Sequence, residues 1–316
     1  MNAAPTFSIF IPTYNRGHLL PRALASVEAQ TCRDFELVIV DDGSTDGTEA
    51  LVAAWRAGVD FPVIYLRQEN QGKHAAHNAG VAVARGQFFV NLDSDDRLLP
   101  EALAIFWRHW VAIPAAERDG FVGVEGLITI NGRLKERDRY PARVLDADYL
   151  TVRYRLGAGG DKKNALRTEV LRQFPYPVFA GEHHVRPSLI WKRMAHRYRL
   201  RCVNEVVQDC EYQADGLSSD RFRLRMGNPK GFALYHLEDI TLHRTWHGWR
   251  QRMRSTIEYI RFSLHAGVGL AGQWRQVGGN PLWLALLVPG LLRRLGDWHR
   301  IKVRRAPVRN RKPLPR

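Results

Sequence analysis

FFVNLDSDDRLLP, from Phe88 to Pro100, decides how this chain is read. The apolar run Phe88-Phe89-Val90 has the length and flanks of a short buried strand, and it ends in Asn91-Leu92-Asp93-Ser94-Asp95-Asp96. Three carboxylates within four residues repel one another, so a fold that gathers them at a strand end calls for a compensating cation. Oxygen ligands of this kind suit Mg²⁺ or Mn²⁺, and Mg²⁺ is commonly held by one or two carboxylates together with substrate phosphates. The plain alternative is a solvated acidic turn ahead of a helix that starts near Leu99, since Asp is favoured in such places.

Upstream, the same arrangement recurs. Phe7 to Ile11 reads as a first buried strand, closed by Pro12-Thr13-Tyr14-Asn15 and followed by a helical pattern with Leu19, Leu20, Ala23, Leu24 and Val27 on one face. Phe35 to Val40 is a near-continuous apolar strand of the kind found inside parallel sheets, and it ends in Asp41-Asp42-Gly43-Ser44. A helix over Thr48 to Ala57, a strand over Pro62 to Leu66, a helix over Gly72 to Arg85 and the strand over Phe88 to Leu92 complete a βαβαβαβ order. That order predicts a parallel sheet flanked by helices, with ligands at the carboxyl ends of its strands. Thr13 to Asn15, Asp41-Asp42 and Asp93 to Asp96 each follow a strand directly, which is too regular for three unrelated turns. No GxGxxG follows the first strand and no Walker sequence occurs, so neither a dinucleotide fingerprint nor a P-loop is present. Gly72-Lys73 does place a glycine and a cation at a helix start, suited to approaching a phosphate, although Lys73 and Arg67 read equally well as surface charges.

Taken together, IFIPTYNR (Ile9 to Arg16), FELVIVDDGSTDGT (Phe35 to Thr48), NQGKHAAHNAG (Asn70 to Gly80) and ARGQFFVNLDSDD (Ala84 to Asp96) resemble the inverting family-2 glycosyltransferases of GT-A fold, over about the first hundred residues. The resemblance implies a Rossmann-like, mostly parallel α/β sheet with a helical C-terminal extension. It implies a nucleotide-sugar donor, a UDP-sugar first, bound by Pro12, Thr13, Tyr14, Asn15, Asp41, Asp42, Lys73, Asn78, Asp93 and Ser94. In that scheme Asp41 and the loop after the first strand hold the base, Asp93 meets the ribose or the metal, and Asp95 coordinates Mn²⁺ or Mg²⁺ on the diphosphate. Breaking a sugar–phosphate bond leaves a dianionic diphosphate, which a metal and nearby cations stabilise.

In the second half, GFVGVEGLITI (Gly120 to Ile130) fits a strand pair, and Gly157 to Asp161 a flexible turn. Glu182-His183-His184 stands just ahead of an apolar helical stretch, Leu189 to Met194. The family places an acidic general base here, usually the Asp of a Glu-Asp pair, and this chain departs from that pattern. Glu182 is the first choice for the base, and His183 is the other, since an imidazole titrates near neutral pH. A helix cap by Glu182 with surface histidines is the structural alternative, and successive residues point to different faces, which disfavours zinc. Asn204 to Tyr212 and Asp215-Gly216-Leu217-Ser218 resemble the family segment that closes over the diphosphate and acceptor, with Asn228-Pro229 as a helix start.

The formal charge of +15 over 316 residues points to an anionic partner. It is concentrated at the end: Arg293, Arg294, Arg300, Lys302, Arg304, Arg305, Arg309, Arg311, Lys312 and Arg316 stand against Asp297 alone. Thr241 to His265 is helical by pattern, with Trp246, Trp249, Met253, Ile257, Ile260 and Leu264 as a core stripe. Pro281 to Leu292 is apolar but short, and interrupted by Pro289 and Gly290, so it is expected to lie on an anionic membrane rather than span it. Cys32, Cys202 and Cys210 form no CxxC pair and leave an odd thiol, so no disulfide framework or zinc site is suggested and a reducing compartment is the economical expectation. Without a secretory signal pattern, the expected location is cytoplasmic, peripheral on the cytoplasmic face of the membrane.

The organisation expected is a catalytic domain over 1–238 (1–100 the nucleotide-binding half, 101–238 the acceptor half) and a helical, basic extension over 239–316. The expected activity is metal-dependent transfer of a single hexosyl or N-acetylhexosaminyl group, with a glycan or lipid-linked acceptor in surface polysaccharide assembly. Gln273-Trp274-Arg275 does not match the QxxRW motif of processive members. The competing classes are a nucleotide-sugar binder without turnover and a basic-tailed nucleic-acid interaction protein; no RNA-binding motif is present, and no nucleic-acid partner is expected.

Overall fold

The computed structural model describes residues 4–211 and 220–305. The first half runs β1 (Phe7–Thr13), α1 (Leu20–Glu28), β2 (Phe35–Asp41), α2 (Thr48–Arg56), β3 (Val63–Arg67), α3 (Lys73–Val83), β4 (Phe88–Asn91), β5 (Arg97–Leu98) and α4 (Ala102–Val111). It continues through β6 (Phe121–Ile130), β7 (Val144–Ala147), α5 (Tyr149–Tyr154), β8 (Lys162–Arg167), α6 (Thr168–Gln173), α7 (Ser188–Met194), β9 (Arg199–Cys210) and α8 (Arg221–Met226). Helices α9 (Pro229–Thr241), α10 (Trp249–His265), α11 (Leu270–Gln276), α12 (Pro281–Ala285) and α13 (Leu287–Arg305) follow.

All the strands join one sheet in the order β3-β2-β1-β4-β8-β6-β9-β5, with β7 also paired to β9. The block β3-β2-β1-β4 is parallel, as the alternating order predicts, so the tips of its strands share one edge. Antiparallel β8 then extends the sheet from β4. Every residue of β1 and β2 is buried, which is why both read as unbroken apolar runs. Phe7, Ile9 and Ile11 join a core with Leu20, Leu24 and Phe106 on one face of the sheet. On the other face Phe10 stacks on Phe89 at 5.0 Å, and α3 packs closely there. Only glycine fits at Gly80 in α3, because a Cβ would lie 2.6 Å from the Phe10 ring.

Three local expectations change. The strand pair expected over Gly120 to Ile130 is a single strand, β6, because its glycines make no turn: Gly123 lies against the backbone of Ala165, where a Cβ would sit 2.0 Å from the carbonyl oxygen. The helix expected over Thr241 to His265 is the end of α9 and all of α10, broken between them, and Trp249 is exposed. Pro289 and Gly290 do not interrupt α13. Proline is tolerated in a first helical turn, where its missing N–H has no intrahelical partner, and Gly290 lets Ile260 approach to a distance a Cβ would forbid.

The chain separates into two compact units, Met1–Asn228 and Pro229–Arg316. The boundary expected at 238/239 therefore falls inside α9, and the division lies at the start of that helix. In the second unit Ile240, Tyr259, Ile260, Val277, Trp283 and Leu286 form a small core. Arg261 of α10 makes a two-point pair with Asp297 of α13, at 2.6 and 2.7 Å, and Glu258 and His265 complete the buried cluster. Tyr212, Asp215 to Ser218 and the basic residues from Arg309 onward lie outside the described residues.

Candidate active site

The tips of β1, β2 and β4 are tied to one another by short contacts. After β1, Asn15 takes a positive φ of 51°, a conformation Asn tolerates better than most residues. Its N–H donates to Ser44 Oγ at 2.9 Å, and its Oδ1 accepts from the Thr45 N–H at 2.7 Å. Thr13 accepts from the Asp42 N–H at 2.8 Å through its carbonyl, so the loops after β1 and β2 are laced together. Asp41 is fully buried and accepts from the Ser44 N–H and the Tyr65 hydroxyl, each at 2.7 Å. Pro12 lies buried inside β1, while Tyr14 stands exposed at the rim.

Asp42 spends both carboxylate oxygens on the turn that leads into α3. It accepts from Gln68 Nε2 (2.7 Å) and the N–H groups of Gln71 (3.0 Å) and Gly72 (2.7 Å). That turn delivers Lys73, whose Nζ donates to Asp93 Oδ1 at 2.5 Å. The end of β2 is thus connected to the end of β4 through two adjacent residues. Asn91 Nδ2 donates to the same Asp93 oxygen at 3.1 Å, and Lys163 of β8 donates to the Asn91 carbonyl at 2.5 Å.

Asp93, Asp95 and Asp96 each offer a carboxylate oxygen within 4.8 Å of the others. Burial alone would raise Asp93, but the ammonium groups of Lys73 and Lys163 hold it well below the usual carboxylate range. Asp95 is raised by burial and then by the Asp93 charge, and Asp96 is pushed up to about 7 by the same two causes. Asp96 also accepts from Gln208 Nε2 at 2.7 Å. Two carboxyls that resist ionising beside a third that is ionised form an under-compensated oxygen cluster, and such a donor set fits a hard divalent cation. The sequence groups all three carboxylates and the resemblance singles out Asp93 and Asp95; Asp96 stands in the same cluster.

The Glu182-His183 segment reaches this site through Gly72. With φ at 92°, Gly72 lies so close to the His183 carbonyl that a Cβ there would stand 1.9 Å from the oxygen. Asn228 pins the segment from the other side, its Oδ1 accepting from the N–H groups of His183 (2.7 Å) and His184 (2.8 Å). Glu182 is buried at 5% exposure, whereas the His183 side chain is exposed.

The structure therefore brings together the loop after β1, Asp41, Lys73, the acidic cluster with buried Ser94, and the 182–183 segment. Asn78 stands apart. Its amide is spent on the Tyr176 backbone, donating to the carbonyl at 2.8 Å and accepting from the N–H at 2.9 Å, so it braces the chain ahead of α7. Asp42 likewise clasps protein backbone. Lys163 and Asn91, which the sequence did not single out, sit among the charged groups; only the β4–β8 pairing, invisible in local pattern, places Lys163 there.

Residues 8–156 match the family described as glycosyl transferase family 2. Over 96 residues the chain is 45% identical to a PGL/p-HBAD biosynthesis glycosyltransferase of Mycobacterium bovis, a stretch covering 30% of this chain and 38% of that relative. Over 101 residues it is 37% identical to the GalNAc(5)-diNAcBac-PP-undecaprenol beta-1,3-glucosyltransferase of Campylobacter jejuni, covering 32% of this chain and 33% of the other. Among solved structures it is similar to S. aureus TarS 1–349 in complex with UDP-GlcNAc (TM-score 0.60, 19% identity, 90% of this chain and 80% of the other). It is also similar to the mannosyltransferase PcManGT from Pyrobaculum calidifontis in complex with GDP-Man and Mn²⁺ (TM-score 0.53, 20% identity, 95% and 84%). With the strand-tip site, these likenesses make residues 8–156 a family 2 glycosyltransferase domain built on the GT-A fold.

Proposed function

We propose that the chain moves a single sugar from a nucleotide-sugar donor, a UDP-sugar first, to an acceptor hydroxyl with inversion. The observation that carries this is the linkage of three strand tips through Asp42, Gly72, Lys73 and Asp93, with the 182–183 segment lying on Gly72. The loop after β1 and Asp41 receive the base, and Asp93, Asp95 and Asp96 hold Mn²⁺ or Mg²⁺. A cation there supplies charge stabilisation for the departing diphosphate. Lys73 lies beside the same leaving group. His183 takes the acceptor proton: its side chain is exposed beside the strand-tip site where Glu182 is buried, and an imidazole nitrogen can act as a general base. Glu182, next to it, serves to position the segment.

The acceptor is a glycan or lipid-linked glycan; the relative named for a PP-undecaprenol acceptor supports this class. The second unit supports a membrane-side location. Among the described residues no helix is long and apolar enough to cross a membrane. Yet α13 exposes Val288 (64%), Leu292 (62%) and Leu295 (59%) along one side, with the exposed Trp298 one turn further on. An apolar face with a Trp anchor and basic neighbours suits the headgroup plane of an anionic bilayer on the cytoplasmic side.

Release of UDP from a panel of UDP-sugars, with and without EDTA, tests the activity. Turnover should need Mn²⁺ or Mg²⁺, and Asp95→Asn should lower kcat by about a hundredfold or more. Full turnover in Asp95→Asn, or in EDTA, would remove the metal assignment. Binding of UDP with Mn²⁺ but no turnover on any donor would leave a nucleotide-sugar binder.

A further inference from the structure

Beside the Lys73–Asp93 pair, a cavity of about 160 Å³ lies between the sheet and helices α3 and α7. Its walls are largely apolar, with Phe89, Leu166, Ile190 and Trp191 among them, and it is not sealed. Four buried polar atoms around it have no hydrogen-bond partner among the described residues: Asn91 Oδ1, both ring nitrogens of His74, and His77 Nδ1. His74 is only 4% exposed. Buried polar groups left unpaired are destabilising, so a cluster of them around one cavity marks a place where a ligand supplies the partners.

The donor and acceptor inventory narrows what that ligand is. Asn91 Nδ2 is committed to Asp93, which fixes the amide orientation and leaves Oδ1 as an acceptor. Burial lowers the proton affinity of His74, and brings that of His77 down to about 3, so both imidazoles are neutral and each offers one N–H and one acceptor nitrogen. The complementary group is uncharged, carries both an N–H and a carbonyl, and has an apolar end. Lys73, the cation on the lining, is already paired with Asp93, so an anionic group finds no free counter-charge here. A bare hydroxyl would meet one polar atom and leave the apolar walls unfilled; a cavity of roughly 150 Å³ is large enough for a benzene-sized group.

We propose that this cavity receives the acylamino substituent of an amino-sugar donor. Its N–H meets Asn91 Oδ1, its carbonyl meets a His74 N–H, and its acyl carbons lie against Phe89 and Ile190. This rests on the transferase reading and names its substrate class. Asn91 and His74 thereby determine specificity at C2 of the sugar, while the carboxylate cluster with its cation serves the diphosphate whichever sugar is present.

Calorimetric titration of the protein plus Mn²⁺ with UDP, UDP-glucose and UDP-N-acetylglucosamine tests it. The acetamido sugar should bind about tenfold more tightly than the hydroxyl sugar, in line with what one hydrogen-bonded, apolar-walled subsite discriminates. Ile190→Phe should erase that preference and leave the affinity for UDP itself unchanged. Imidazole NMR signals of His74 and His77 in the unmodified chain give a readout independent of any variant: N-acetylglucosamine-bearing ligand should move them and the glucose analogue should not. Equal affinities with unmoved His74 signals would overturn the cavity assignment and leave the nucleotide site standing. If UDP does not bind at all, the uridine-nucleotide reading fails instead. Free N-acetylglucosamine against free glucose, followed on the same His74 signals, then decides the cavity by itself.

Discussion

At Asp96, burial and the neighbouring Asp93 charge push the carboxyl up to about 7, so the folded chain retains a proton there that an unfolded Asp, near 4, has already lost. The sign follows directly: between those values the folded state binds more protons, so this group contributes stability at lower pH that is lost as pH rises through about 7. A cation competes with that proton. Mn²⁺ should therefore bind about tenfold more tightly at pH 8 than at pH 6, with proton release detectable as a buffer-dependent binding heat. Asp96→Asn should flatten the pH profile; an unchanged slope would show that Asp96 is not among the ligands. Asp41 and Asp42 show the limit of reading single residues. Both are adjacent acids at one strand tip, yet Asp41 accepts from Ser44 and Tyr65 while Asp42 holds the turn before Lys73.

Helix α13 would be read from its sequence as broken at Pro289-Gly290, yet it runs continuously because Pro289 lies in the first turn and Gly290 packs against Ile260. What fastens it to α10 is the Arg261–Asp297 pair, both members nearly inaccessible to solvent. Removing one partner of such a pair leaves the other buried and uncompensated, which costs about 3–5 kcal/mol. Asp297→Ala should accordingly lower the unfolding free energy of the second unit by that amount in chemical denaturation, while Arg300→Ala, at an exposed position, should change it by less than about 0.5 kcal/mol. Equal effects from the two would show that the pair does not hold the helix. Within the first unit, α3 follows the same logic: its glycine at position 80 reads as a weak point in a helix, and serves as the place where the helix meets Phe10.

For the molecule as a whole, the charge of +15 and the exposed stripe of α13 predict where it works. It should co-sediment with vesicles containing anionic phosphatidylglycerol and less with pure phosphatidylcholine. Each basic residue near such a surface contributes about 1 kcal/mol, so raising salt should release much of the bound protein. Leu292→Asp with Leu295→Asp should abolish sedimentation and spare turnover on a water-soluble acceptor; undiminished vesicle binding would place the contact elsewhere. The fold's first hundred residues were legible because their chemistry is local. Apolar runs of strand length alternate with helical spacing, and parallel connection obliges every strand tip to emerge on one edge, so the acids at Asp41 and Asp93 to Asp96 had to be neighbours. Only the tertiary structure decided which of those polar groups remain available. Asn78 is consumed by Tyr176, 98 residues along the chain, Lys163 arrives on an antiparallel strand, and His183 settles on Gly72. These are pairings between segments with no local signature, set by how closely packed backbones can approach and by which buried donors and acceptors must find a partner.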